Sequence, residues 1–140
     1  MSSEKDDTKF YQEAFLRNKG IISTHLQEKL KHTRVAICGM GGVGEIHAET
    51  SARLGVGKLT IADGDTFEVI NINRQMEAMN STLGQLKVDV LDKTLHDINP
   101  FIEIKKMGYL TDMNIDEFLE GADVVIDGMD FFKFDIRRTI

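Results

Sequence analysis

The chain has 140 residues, enough for one domain, with 41% hydrophobic and 29% charged residues, the mix of a soluble globular protein. Its net charge of −6 argues against nucleic-acid binding, which needs a basic face, and no run approaches the ~18 apolar residues that span a bilayer. The polar, acidic start MSSEKDDTKF is unlike a secretory leader, and the single cysteine, Cys38, excludes an internal disulfide, so a reducing, cytoplasmic setting is expected.

In chain order, residues 8–18 and 22–31 read as two helices separated by Gly20, a helical extension over 1–31, with Ser23 or Thr24 available to cap the second. TRVAIC (33–38) is short, apolar and β-branched, as expected of a strand buried on both faces of a parallel sheet. After a glycine-rich loop, Val43, Ile46, His47, Thr50 and Leu54 fall at helical spacing, and Gly55 suits the end of that helix. GKLTIAD (57–63) is a second strand ending in an acid, followed by a polar loop over 64–80. Leu83, Leu86, Val90, Leu91, Leu95 and Ile98 form the stripe of a further helix that Pro100 stops. FIEIKKM (101–107) is a third strand, NIDEFLE (114–120) a short helix, and ADVVID (122–127) a fourth strand. No repeat, low-complexity stretch or linker interrupts this order.

Strands alternating with helices predict an α/β fold: a Rossmann-like, doubly wound, mainly parallel sheet with helices on both faces. Ligands of such sheets gather beyond the carboxyl ends of the strands. Here those ends are Cys38 leading into glycines, Asp63, Met107, and Asp127 leading to Asp130. The loop GMGGVG places Gly39, Gly41 and Gly44 at the spacing G-x-G-x-x-G, with Gly42 as an extra. That spacing serves a tight turn, close backbone approach to a phosphate, and close packing of helix on strand. Asp63, 24 residues after Gly39, stands where an acid takes the ribose hydroxyls of an adenosine.

The next loop bears on which nucleotide this is. DGDTFEVININRQ carries Asp63, Asp65, Asn71, Asn73, Arg74 and Gln75 in thirteen residues, whereas hydride transfer calls for an apolar slot. A triphosphate needs fixed cations and a divalent metal. Arg74 offers a fork for phosphate oxygens, and Lys87 interrupts the apolar stripe, either for the site or as a snorkelling surface lysine. Asp130 is the acid type that holds Mg²⁺ beside a phosphate, or else an ordinary turn residue. Cys38 reads as a core residue rather than a nucleophile, and His25, His32, His47 and His96 have no metal-ligand spacing. Met76 and Met79 read as packing residues, and Phe131, Phe132 and Phe134 as a cover for the mouth of the site or part of the core.

Taken together, GMGGVG, IADGD, NINRQ, GQLKVD and VVIDGMD resemble, in order and spacing, the ThiF/MoeB/HesA group, the relatives of ubiquitin-activating E1 enzymes. The resemblance runs from about residue 11 to 140. It implies an enzyme that uses ATP and Mg²⁺ to activate the C-terminal carboxylate of a small ubiquitin-like sulfur-carrier protein as an acyl-adenylate, releasing pyrophosphate. By the same resemblance, Gly39, Gly41, Gly42 and Gly44 face the phosphates, with Asp65 and Gln75 in the same nucleotide site. Asp63 binds the ribose, and Asn71, Arg74 and Lys87 hold the phosphates and stabilise charge. Asp130 positions Mg²⁺, and Arg17 reaches across a homodimer to the partner's ATP. The chain departs from the family pattern at Ala14, where a second arginine is usual, and at Phe131, where an asparagine usually follows the metal aspartate. The resemblance also implies a single nucleotide-binding domain over 1–140, the N-terminal part of a longer one whose sheet is incomplete at 140. Two other readings stand beside it. An NAD-dependent oxidoreductase suits Asp63 and the glycines but leaves Arg74, Lys87 and Asp130 without a purpose. A non-catalytic fragment, or the inactive partner of a heterodimeric activator, suits a shortened sheet.

Overall fold

A computed structural model of the chain describes residues 2–130 together with Asp135, Arg138 and Ile140; Phe131, Phe132 and Phe134 lie outside the described residues. Four parallel strands, β1 (Arg34–Cys38), β2 (Lys58–Ala62), β3 (Glu103–Met107) and β4 (Val124–Asp127), form one sheet in the order β3-β2-β1-β4. Among the described residues they are accompanied by the helices α1 (Ser2–Ala14), α2 (Thr24–His32), α3 (Gly44–Leu54), α4 (Lys87–Ile98) and α5 (Ile115–Leu119). The apolar run at 35–38 forms the central strand β1, and all four of these residues are buried. The register pairs Cys38 with Ala62 and with Asp127, and Ala62 with Met107, so all four strands end at one edge.

The strand order explains the two helical layers. From β1 the chain winds outward through α3 to β2 and through α4 to β3. It then returns across the sheet through α5 to β4, on the other side of β1. Right-handed crossovers place helices of opposite travel on opposite faces. Accordingly Ile37, Leu59, Ile61, Ala48, Ala52, Leu91 and Leu95 pack in one core, and Cys38, Ala62, Ile115 and Phe118 in another. The reversal of winding falls between β1 and β4, and a crevice opens there beyond the strand ends.

Three helical expectations shift in the structure. The first helix ends at Ala14, and a separate 3-10 turn, Leu16–Asn18, follows because Phe15 leaves the helix to enter the core. Ser23 caps α2 by accepting from the Leu26 N–H. In α3 the apolar stripe is turned outward: Val43, Ile46, His47, Thr50 and Leu54 are all exposed. The buried face is Gly44, Glu45, Ala48, Glu49, Ser51 and Ala52, small residues at 44, 48 and 52 letting the helix lie close to the sheet. The stripe beginning at Leu83 becomes helical only at Lys87. Leu83 and Leu86 precede it, because residues 65–67 pair with 84–87: Phe67 N–H to Gln85 O, Gly84 N–H to Phe67 O, and Lys87 N–H to Asp65 O. Met76 and Met79, expected to pack, are exposed.

The N-terminal helices dock far from the crevice. Asn99 Nδ2, at the carboxyl end of α4, donates to the Tyr11 hydroxyl at 2.8 Å, and Phe10 packs on Phe101. Gln27 Nε2 and Asn18 Nδ2 both donate to Leu54 O, at the carboxyl end of α3. Among the described residues no helix is long and apolar enough to cross a membrane.

Candidate functional site

At the winding reversal the β1–α3 loop is folded by the identities of its glycines. Gly39 has φ +81° and its N–H donates to Ala62 O, while the Gly128 N–H, leaving β4, donates to Cys38 O. The two exits touch: a Cβ on Gly39 would meet Gly128 backbone at 2.7 Å. A Cβ on Gly44 would meet Gly39 O at 1.8 Å, so the first turn of α3 rests on the loop itself. A Cβ on Gly42 would meet Arg74 O at 2.8 Å, which seats the polar crossover loop against the glycines. Gly41 alone is open, its nearest neighbour being Gln75 Nε2 at 3.6 Å from a built Cβ.

A cavity of about 530 Å³ opens in front of this loop. Its lining includes Gly39, Gly41 and Gly42 from the glycine loop, and Asp63 and Asp65 from the end of β2. Arg74, Gln75 and Lys87 come from the crossover, Tyr109 and Leu110 follow β3, and Asp130 follows β4. Sites of this size, part apolar with a few converging polar groups, suit one small ligand.

Asp63 is built into the backbone. Its two oxygens accept the Met40 and Asp65 N–H groups, each at 2.7 Å. Burial raises its pKa above the ordinary carboxylate value, opposed by those two hydrogen bonds and by Lys87. Lys87 is buried at the first residue of α4, not snorkelling at its edge. Its Nζ lies 3.7 Å from Asp65 Oδ2 and 6.0 Å from the centre of the Phe67 ring. The strand-like pairing of 65–67 with 84–87 is what delivers Lys87 to Asp65. The Tyr109 hydroxyl donates to Asp65, and its ring lies over Gly64, where a Cβ would meet it at 2.4 Å. Arg74 is exposed, its guanidinium donating to Ile70 O at 2.9 Å and to Asn73 Oδ1 at 3.1 Å. Among the described residues the lining thus carries three carboxylates (Asp63, Asp65, Asp130) and two cations (Arg74, Lys87), beside the Cys38 thiol and the Tyr109 phenol. A triphosphate carries more negative charge than these two cations neutralise.

Sequence comparison fits this geometry. The ThiF family profile matches residues 15–140. The chain belongs to the ThiF family. Among relatives, the tRNA threonylcarbamoyladenosine dehydratase of Bacillus subtilis is 42% identical over 126 residues, 88% of this chain and 49% of that protein. The ubiquitin-like modifier-activating enzyme 5 of Bombyx mori is 35% identical over 129 residues, 91% of this chain and 32% of that protein. The chain therefore spans about half, or less, of the length of the curated relatives it matches. Among solved structures, the E. coli tRNA N6-threonylcarbamoyladenosine dehydratase TcdA in complex with ATP superposes with a TM-score of 0.83 at 26% identity, covering 92% of this chain and 57% of that one. E. coli MccB with MccA superposes at a TM-score of 0.73 with 26% identity, covering 81% of this chain and 34% of that one.

Within this ThiF chain the crevice gathers Gly39, Gly41, Gly42, Asp63, Asp65, Arg74, Gln75, Lys87 and Asp130. Three expected residues stand apart. Gly44 lies behind the loop and supports it. Asn71 is buried outside the lining, its Oδ1 accepting the Glu68 N–H and closing the turn that precedes Arg74. Arg17 is exposed beside the carboxyl end of α3, while the glycines stand at its amino end. An eleven-residue helix separates them by about 16 Å. Tyr109, whose hydroxyl reaches Asp65, lines the cavity without having been expected there, because it follows a strand end that read only as Met107. Glu45, fully buried in the first turn of α3, was not singled out by the sequence.

Proposed function

We propose that this chain is the nucleotide half of an E1-like adenylating enzyme. On this reading it uses Mg-ATP to activate the C-terminal carboxylate of a small ubiquitin-like sulfur-carrier protein. The observation that carries the proposal is the convergence of an open glycine cradle, a backbone-held Asp63 and two cations, Arg74 and Lys87, around one cavity. The identity to activating enzymes and the likeness to the ATP complex of TcdA support it.

Asp63 accepts the ribose hydroxyls on its remaining lone pairs, fixing the nucleoside. The glycine loop admits the phosphates at Gly41, where no side chain blocks approach. Arg74 exchanges its backbone partner for phosphate oxygens, and Lys87 lies between those oxygens and Asp65. A carboxylate oxygen attacks the α-phosphorus. The new C–O–P bond forms as the α–β bridging bond breaks, and the electron pair leaves with pyrophosphate. No protein nucleophile is required, since positioning and charge neutralisation carry the step. Asp130, a carboxylate at the rim, would hold Mg²⁺ there, which would supply positive charge to neutralise the phosphates.

The assembly we propose is a two-fold homodimer. In support, Arg17 stands by the end of α3 remote from its own glycine loop, and this reading has it reach another chain's ATP. The edge strand β4, with Val124 and Val125 exposed, supports a sheet that continues in a longer domain. A single cysteine, Cys38, buried at a strand end, suits the cytoplasm. A second reading keeps the chemistry and changes the acid. The most identical of the relatives named above acts, by its name, on a threonylcarbamoyl adenosine of tRNA, a group that also ends in a carboxylate. The net charge of −6 favours the protein acceptor.

Calorimetric titration with Mg-ATP and NAD in parallel tests the site. ATP is expected to bind more tightly, and Asp63→Ala to weaken it roughly ten- to a hundredfold, the loss of a charged acceptor worth about 1.5 to 3 kcal/mol. Tighter binding of NAD, or ATP affinity unchanged in a folded Asp63→Ala variant, would sink the proposal.

A further inference from the structure

Glu45 is fully buried in the first turn of α3, one residue after the last glycine of the loop, a place where a carboxylate normally faces water. Its Oε1 accepts the N–H of Met76, and Oε2 is buried without a partner among the described residues. Met76 and Glu77 directly follow Arg74 and Gln75, two of the cavity's lining residues. The same short segment is held at its other end, where Asn71 O accepts the N–H groups of Arg74 and Gln75. In between, Arg74 O lies against Gly42. The backbone that presents Arg74 and Gln75 is therefore pinned on both sides. One of the pins is a side chain growing from the phosphate-facing end of α3.

We propose that Glu45 is a positioning residue for the phosphate half of the site: through the backbone N–H of Met76 it sets where Arg74 and Gln75 stand relative to the glycine loop. The proposal rests on the reading of the cavity as an ATP site. Glu45 touches neither phosphate nor ribose. It belongs to α3 while the residues it orders belong to the crossover, so the glycine cradle and the cationic loop move as one body. Burial raises the pKa of Glu45, opposed by the backbone N–H groups beside it and reinforced by repulsion from Glu77 and Glu49. An acceptor kept there against that cost is consistent with a fixed loop geometry. The nucleoside end is held separately, by Asp63 on Met40 and Asp65, and does not pass through Glu45.

This separation gives the test. Affinities for Mg-ATP and for adenosine are measured by calorimetry on the full chain and its Glu45→Ala and Glu45→Gln variants. Glu45→Ala is expected to lose roughly ten- to a hundredfold in ATP affinity, the range seen when a group that orients a binding residue is removed, while adenosine affinity stays within about twofold. Glu45→Gln keeps an acceptor oxygen and is expected to recover ATP binding to within about threefold of the parent. If Glu45→Ala fails to fold, Glu45→Asp carries the same expectation, because its carboxylate is withdrawn by about 1.5 Å, one carbon–carbon bond. Equal losses for ATP and adenosine would show a merely structural residue and overturn the proposal, as would wild-type ATP affinity in Glu45→Ala or no recovery in Glu45→Gln. A parent chain that binds adenosine but gains nothing from the phosphates would overturn the ATP reading itself, and this proposal with it.

Discussion

Arg17→Ala is expected to lower adenylate formation by about a thousandfold, the scale of an arginine supplied in trans to a phosphoryl centre, while ATP affinity stays nearly unchanged. The expectation follows from placement. Arg17 stands by the end of α3 remote from the glycine loop, tethered through Asn18 and Gln27 to Leu54 O. On the proposed reading it therefore serves another chain's site. Among the described residues the lining carries three carboxylates and two cations, so a further guanidinium would help to neutralise the charge that develops during transfer. An equal mixture of Arg17→Ala and Arg74→Ala chains is expected to regain about a quarter of the parental activity. Half of the dimers are then hybrid, and one of the two sites in each recovers both arginines. The mixture should be compared with each variant alone, after light scattering has shown both to be folded dimers. A mixture as inactive as its components, or an active monomer, would reduce Arg17 to a surface residue.

Gly44→Ala is expected to destabilise the chain by about 3 kcal/mol or more and to abolish ATP binding. The added methyl would sit 1.8 Å from Gly39 O and 2.9 Å from Gly39 C, both backbone atoms of a turn that is itself pressed against Gly128. Neither side can yield without moving the strand exits that frame the crevice. Gly41→Ala gives the contrast: its nearest neighbour is a side-chain nitrogen at 3.6 Å, an ordinary contact. That variant should unfold within about 0.5 kcal/mol of the parent, yet bind ATP more weakly, because the methyl enters the open space before the cavity. Denaturant unfolding and ATP titration of both variants check the pair. A Gly44→Ala chain as stable as the parent would contradict the close packing of Gly44 on Gly39.

The strands and their common polar edge were legible because buried parallel strands write themselves as short apolar runs, and 35–38 and 58–62 do so plainly. Periodicity misled in α3. There the large residues at 43, 46 and 54 imitate a core stripe, while the contact with the sheet is made by Gly44, Ala48 and Ala52. Close packing selects small residues, and an apolar count gives them little weight. Lys87 was recognised as out of place on its stripe, but only the pairing of 65–67 with 84–87 explains why. That pairing starts the helix at Lys87 and leaves Leu83 and Leu86 outside it. Asn71 has the residue type of a ligand, yet in the fold its side chain closes a turn. Glu45 and Tyr109 had no signal at all, because their partners, the Met76 N–H and Asp65, are brought to them by the crossover loop.

The central claim is that this crevice joins a carboxylate to the α-phosphate of ATP, and exchange of labelled pyrophosphate into ATP reads that step directly. The assay is run with Mg²⁺ on the longest natural form of the protein, offering a ubiquitin-like sulfur-carrier protein with a free C-terminus in one arm and tRNA bearing threonylcarbamoyladenosine in the other. Exchange with the carrier protein, lost in Arg74→Ala and Lys87→Ala, is the predicted result, and exchange with the tRNA alone would move the acceptor to the second reading. A folded protein that binds Mg-ATP and exchanges pyrophosphate with neither would contradict the account.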